Sequence, residues 1–391
     1  MDATVPGRAR ALERTRVTGG PVLITGGAGF IGSHLVEALS VKGARVRVLD
    51  ALEPQVHGRG ASAPPYLPKG VEFLRGSVTD PQAVDAALRD VGAVVHLAAQ
   101  VGVGQSMYTI GRYVTDNAVG TAVLLDRIVN GGHGVRRLVV ASSMSIYGEG
   151  RYRCAACGLV APDLRPRVQL EARDWEMRCP TCRASVEPVP TDEDKPLKPT
   201  SVYAITKRDQ EELCLCVGRA YDIPTVALRL FNVYGPRQAL SNPYTGVAAI
   251  FSSRLRNHQP PLVFEDGLQS RDFVHVSDIV QAFSLALART DVADVNLNVG
   301  TGRATSVIAI ARGLGRALGV PLDPEVLGRF REGDIRHCVA DITRAQRVLG
   351  YVPRVRLEEG LAELAEWSRS QAPEDRVAQA RTELEDKRLI R

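Results

Sequence analysis

Long apolar runs are missing from this 391-residue chain. No stretch approaches ~18 consecutive apolar residues, which removes a membrane-crossing helix and, with it, an expected membrane partner. The opening residues, MDATVPGRARALERTRVTGG, lack the apolar centre of a secretory signal, so a cytoplasmic location is expected. Strong net charge is missing as well: 49 Lys and Arg stand against 44 Asp and Glu, a formal +5. Charge so dilute does not make the clustered basic face that nucleic acid requires, and no nucleic-acid partner is expected. Internal repeats are absent. What remains, 45% apolar and 24% charged residues, is the composition of a soluble globular enzyme with one large or two moderate cores.

Cysteine is sparse too, yet four of the seven are concentrated. They form Cys154-x-x-Cys157 and Cys179-x-x-Cys182, with 21 residues between the pairs. In a chain read as intracellular, this spacing points to a metal before it points to disulfides. Four thiolates make a closed tetrahedral zinc site, structural rather than catalytic. Arg173, Arg178 and Arg183 in this stretch alternate with Glu171, Asp174 and Glu176, which again argues against a nucleic-acid surface. Leu159, Val160, Leu170 and Trp175 are the expected small core of the segment or its packing face.

The first element reads as an apolar strand, Val22 to Thr25, then a glycine turn, then a helix: PVLITGGAGFIGSHLVEAL. Gly26, Gly29 and Gly32 fall as Gly-x-x-Gly-x-x-Gly. Gly26 permits a tight turn, Gly29 lets backbone approach a diphosphate, and Gly32 lets the helix pack close to the strand. The helix N-terminus then offers free N–H groups and a positive dipole end to phosphates. A second strand, ARVRVLD, ends in Asp50, 18 residues after Gly32. A carboxylate there accepts hydrogen bonds from ribose hydroxyls and repels a 2′-phosphate, so NAD is favoured over NADP. Further strand-like runs, VEFLRGSVTD and AVVHLAAQ, follow at α/β spacing.

TSVYAITKRDQEELCLCVGRAY reads as a helix with Tyr203 and Lys207 on one face. A tyrosine is a poor base near neutral pH, with a reference pKa of ~10. A nearby ammonium favours the phenolate, which can then take a proton from a sugar hydroxyl. Together with the glycine turn, HLAA and SSMSIYG, the motif resembles an extended short-chain dehydrogenase/reductase of the NAD-dependent nucleotide-sugar epimerase/dehydratase type. The resemblance runs over residues 20–370 apart from the cysteine segment, through LRLFNVYGPRQ, QSRDFVHVSDI, LNVGTG and REGDIRHCVADITRAQRVLGY.

The resemblance implies an α/β Rossmann fold, a doubly wound parallel sheet with a smaller α/β substrate-binding domain. It implies Tyr203, Lys207 and Ser143 as the catalytic set, with Tyr203 and Lys207 also at the cofactor, Lys207 on the nicotinamide ribose. Phe30, Ile31, Ser77, Val78, Leu97, Ala98 and Ala99 would join the glycines and Asp50 around NAD. Ser143, Asn117, Asn232, Arg271, Arg331 and Cys338 would face a nucleotide sugar, the two arginines at its diphosphate. Cys338 matches a position that limits the bulk tolerated on the sugar; an ordinary buried cysteine is the other reading. A homodimer is implied, paired through the Tyr203 helix.

Which reaction the family member runs depends on the residues between Ser143 and Tyr147. A 4,6-dehydratase has Asp-Glu there and a decarboxylase keeps the Glu; this chain has Met144 and Ser145. Neither works as a carboxyl acid or base. What remains is a 4-epimerase acting through a 4-keto sugar. A one-way 4-keto reductase is the alternative that Asp50 opposes, and a non-catalytic dinucleotide sensor is the reading from another class. The placement of the cysteine insert resembles dTDP-L-rhamnose 4-epimerases, so a dTDP-6-deoxyhexose such as dTDP-L-rhamnose is expected, with UDP-hexoses next.

The layout expected from these motifs is an NAD-binding domain at 20–238 with a return at 273–300, carrying a zinc ribbon at 151–185 inserted in a βα loop. The substrate domain is expected at 239–272 and 301–370. Residues 1–19 and 371–391 are expected to be mobile tails or a surface helix.

Overall fold

The computed structural model describes residues 19–391. All but the last residue of the expected N-terminal tail thus lies outside the described residues. Seven strands make the central sheet: β1 (Val22–Thr25), β2 (Val46–Asp50), β3 (Glu72–Arg75), β4 (Ala93–His96), β5 (Leu138–Ser143), β6 (Thr225–Leu230) and β7 (Val295–Val299). Their spatial order is β7-β6-β5-β4-β1-β2-β3, and every pair is parallel.

A parallel sheet is covered on both faces, so its central strands are apolar at every position rather than at alternate ones. β1 shows the consequence. Val22 and Ile24 point into a core with Leu35, Val36 and Phe283, while Leu23 points the other way, to Leu124, Leu125 and Cys214. Helix α1 (Phe30–Val41) lies on the first face and α2 (Val202–Ala220) on the second. The strand order reverses between β1 and β4, which opens a crevice at their carboxyl ends.

The smaller domain has a core of its own, with Phe251, Leu255, Ile310, Leu314, Leu361 and Leu364 at its centre. Its short strand Ser270–Arg271 pairs with Thr305–Ser306 on one side and His337–Cys338 on the other. The cysteine segment leaves the large domain just after Tyr147. It forms an antiparallel sheet of Arg151–Cys154, Gly158–Val160 and Glu187–Val189, so it runs a few residues past the expected boundary at 185. Its interior is Tyr152, Leu170 and Met177; Leu159, expected inside, is exposed, and Trp175 is half-buried.

The C-terminal segment is no free tail. Helix α3 (Val377–Asp386) packs at the cavity, where the Tyr108 and Tyr244 hydroxyls both donate to Glu383 Oε2, at 3.0 and 2.6 Å. Leu389–Arg391 then runs along Phe330–Glu332 with backbone bonds of 3.0 to 3.1 Å. Among the described residues, no helix is long and apolar enough to cross a membrane.

Candidate active site

The crevice opens into one continuous cavity of about 800 Å³ that runs from the glycine turn to Arg271 and Arg331. Gly26 turns the chain with a φ of +71°, and a Cβ there would stand 2.9 Å from the Ala98 nitrogen. At Gly32 a Cβ would stand 2.2 Å from the Gly26 carbonyl oxygen, so only hydrogen fits. Helix α1 begins at Gly29 without a side-chain cap. Its first-turn N–H groups are therefore open to an anion where Phe30 and Ile31 line the cavity.

Asp50 ends β2 with one carboxylate oxygen accepting the Ala28 N–H at 2.9 Å and the other the Leu52 N–H at 2.8 Å. Those bonds hold the turn after β1 against the end of β2 and leave further lone pairs for a ribose. Ser77, Val78, Leu97, Ala98 and Ala99 line the same half of the cavity. Every residue expected around NAD from sequence therefore lines the cavity. A cradle that a Cβ would fill, an uncapped helix start and a carboxylate beside it fit a dinucleotide.

Helix α2 starts at Ser201, whose hydroxyl accepts the Ala204 N–H at 3.1 Å. This start places Tyr203 and Lys207 one turn apart, and both line the cavity with Ser143 at the end of β5. Burial pushes the Tyr203 phenol above its ordinary pKa, and a hydrogen bond with Ser143 pulls it part of the way back. Burial also brings the Lys207 ammonium down to about 8. Lys207 donates to the Ala141 carbonyl and, at 2.6 Å, to Gln210 Oε1. Gln210 in turn donates to Thr121 at 2.8 Å and lies 3.1 Å from His96 Nε2. Burial, and secondarily the Lys207 charge, holds the imidazole down at about 3, hence neutral. Gln210 escaped notice in the sequence, although its place three residues after Lys207 puts it on the same helix face.

Two expected substrate contacts lie elsewhere. Asn117 is fully buried beneath the floor: its Oδ1 accepts the Gln100 N–H at 2.7 Å, and its Nδ2 donates to the Gln100 carbonyl and the Thr206 hydroxyl. With its polar atoms engaged, it fixes the floor to α2 and does not line the cavity. Cys338 is buried with its Sγ 3.8 Å from the Thr191 hydroxyl, and burial pushes the thiol up to about 12. It is the ordinary buried cysteine and not a gate at the sugar.

Asn232, Arg271 and Arg331 do line the cavity, at its far end. The buried Oδ1 of Asn232 has no hydrogen-bond partner within the chain, as expected of an atom that waits for a ligand. The Arg271 guanidinium donates to the carbonyls of Ser270, Ile335 and Arg336. Arg331 lies over the Phe264 ring and donates to Asp334 at 2.8 Å. The C-terminal residues Val377, Ala380, Leu384, Leu389 and Ile390 add an apolar wall that sequence reasoning did not foresee.

In the insert, the sulfurs of Cys154, Cys157, Cys179 and Cys182 all lie within 4.8 Å of one another. Sulfurs around tetrahedral zinc, at about 2.3 Å from the ion, stand roughly 3.8 Å apart, so the four fit that metal. Hydrogen bonds from backbone N–H groups, that of Cys182 first, pull the Cys179 thiol down to about 6.

Residues 22–165 and 180–300 match the NAD dependent epimerase/dehydratase family. The gap in that match, residues 166–179, starts after the first cysteine pair and takes in Cys179. The chain is 40% identical over 353 residues to a dTDP-L-rhamnose 4-epimerase of Burkholderia thailandensis, covering 90% of this chain and 95% of that protein. Among solved structures it is similar to a UDP-glucose 4-epimerase of Thermotoga maritima with UDP-glucose, at 30% identity and a TM-score of 0.72, covering 89% of this chain and 98% of that one. It is also similar to a UDP-glucose 4-epimerase of Thermus thermophilus in complex with NAD, at 30% identity and a TM-score of 0.70, covering 90% and 100%.

Proposed function

We infer the reaction from the premise that this chain belongs to the NAD-dependent epimerase/dehydratase family: it is a nucleotide-sugar 4-epimerase. The observation that carries this reading is the meeting of Ser143, Tyr203 and Lys207 on one cavity wall, with Met144 and Ser145 where carboxyl groups would serve elimination. Tyr203 takes the proton of the C4 hydroxyl, with Ser143 sharing it. Against the expectation from the nearby ammonium, Ser143 rather than Lys207 offsets the burial that raises the phenol. Bound NAD supplies a reversible acceptor for the C4 hydrogen and its electron pair. With the flat 4-keto sugar turned over, Tyr203 would return the proton to O4, and the bound cofactor's reversible chemistry would leave C4 inverted with no net oxidation.

Asp50 and the glycine turn would hold the dinucleotide, and Asn232, Arg271 and Arg331 the substrate's diphosphate. A dTDP-6-deoxyhexose is our first substrate, dTDP-L-rhamnose before others, on the likeness to the Burkholderia enzyme; UDP-hexoses come next. One structural zinc would sit on Cys154, Cys157, Cys179 and Cys182. The two domains would divide the ligands as their cavity walls do. Ile110, Val114, Val119 and Ile205 leave apolar side chains exposed on and beside α2, which supports pairing of two copies there.

The test is NMR of a nucleotide-sugar panel incubated with the protein in deuterated water. The expected product is inverted at C4 and free of solvent deuterium. Deuterium at C5 or C6 would contradict the reading and indicate enolisation.

A further inference from the structure

The cysteine insert reaches the far end of the cavity through buried charge. Arg165 makes two bonds to Glu265, at 2.9 and 2.7 Å, with both side chains almost fully enclosed. Arg336, whose side chain is 0% exposed, bonds the same Glu265 at 3.0 Å and Asp266 at 2.7 and 2.9 Å. Glu176 of the insert completes the set by accepting from Arg336 Nε at 3.1 Å and lying 3.3 Å from His337 Nε2. Hydrogen bonding, to His337 first, holds the Glu176 carboxyl at about 2, so it stays ionised.

The backbone of this stretch is gripped by the same insert. Arg165 donates to the Asp334 carbonyl at 3.3 Å. Glu149 accepts the N–H groups of Arg336 and His337 at 2.7 and 2.8 Å, and Tyr152, on the first strand of the insert, donates to Glu149 at 2.7 Å. Residues 334–337 are thus fixed from the insert side. On their other side, the carbonyls of Ile335 and Arg336 hold Arg271, and the Asp334 carboxylate holds Arg331.

We propose that the insert is a positioning brace for the diphosphate end of the cavity, acting through Arg165 and Glu176 on residues 334–337 and so on Arg271 and Arg331. The proposal rests on the nucleotide-sugar reading above. A guanidinium fork meets a phosphate in two bonds only over a narrow range of angles, so displacement of its supports weakens binding before it touches the chemistry at Tyr203. Glu176 lies in the segment that the family match leaves out, and Arg165 is the last residue matched before it.

The test uses the full chain with its bound cofactor and metal, and compares wild type with Glu176→Gln, Arg165→Met and, as a control, Arg331→Ala. Calorimetry reads affinity for free dTDP and UDP; turnover reads kcat and KM; thermal unfolding and zinc content report the fold. Glu176→Gln alters a side chain that is 57% exposed and should fold whatever becomes of Arg165→Met. We expect at least about fivefold weaker diphosphate binding and higher KM in Glu176→Gln, with kcat, NAD and zinc retained. Wild-type affinity in folded Glu176→Gln, beside a weakened Arg331→Ala, would overturn the brace alone. Binding of dTDP or UDP without sugar turnover would overturn the reaction and leave the brace. A wild type that binds neither would overturn both.

Discussion

Asn117 donates to the Thr206 hydroxyl at 2.9 Å and thereby ties the cavity floor to the helix that carries Tyr203. The same side chain closes two bonds with the Gln100 backbone, so three contacts depend on one buried amide. Asn117→Ala should cost about 2 kcal/mol for each backbone group left without a partner. It should lower kcat more than it raises KM, since the residue sets the position of Tyr203 without facing substrate. Urea unfolding with steady-state kinetics checks both, and a pure KM effect would place Asn117 at the substrate after all.

Tyr203→Phe keeps the ring and removes the acid/base group. Turnover should fall by at least ~100-fold while NAD remains bound, because the ring, the glycine turn and Asp50 are kept. Activity near that of the wild type would exclude Tyr203 from proton transfer.

Asp50→Ala removes the carboxylate that repels a 2′-phosphate and also frees the Ala28 and Leu52 N–H groups. NAD should bind less well and the preference over NADP should shrink. Titration with both dinucleotides measures the ratio, and an unchanged ratio would contradict the ribose assignment.

Lys207 has a folded pKa of about 8, below the ~10.4 of the free side chain. Between those values the unfolded chain holds the extra proton, so stability rises with pH there. The burial penalty is complete below pH 8 and relieved as Lys207 loses its charge. In the NAD-free protein, wild type should therefore gain stability relative to Lys207→Met from pH 8 to ~10.4. Parallel unfolding curves across that window would mean that Lys207 is not desolvated.

Cys154→Ser with Cys179→Ser takes away the two buried thiols of the four. Metal analysis should show the loss of one zinc per chain, and nucleotide-sugar binding should weaken while NAD stays. Full zinc in the double variant would mean that these cysteines do not hold it.

Much of this molecule was legible in the chain alone because its signals are local. The glycine spacing, Asp50 at a strand end and the four-residue step from Tyr203 to Lys207 each follow from the period of one strand or one helix. The sheet and the dinucleotide wall could be read from them. The same holds for the cysteine pairs, whose short spacing fixes two sulfurs at a time. What only the tertiary structure decided is direction and partnership across long separations. A motif position says where Asn117 and Cys338 stand along the chain, but packing turned one under the floor and the other into the interior. The last residues carry little periodicity, so nothing local announces that Leu389–Arg391 pairs with Phe330–Glu332 and walls the cavity. Nothing local marks Arg165 or Arg336. They are enclosed because Glu265, 100 and 71 positions away, meets both, and no window of sequence contains that meeting.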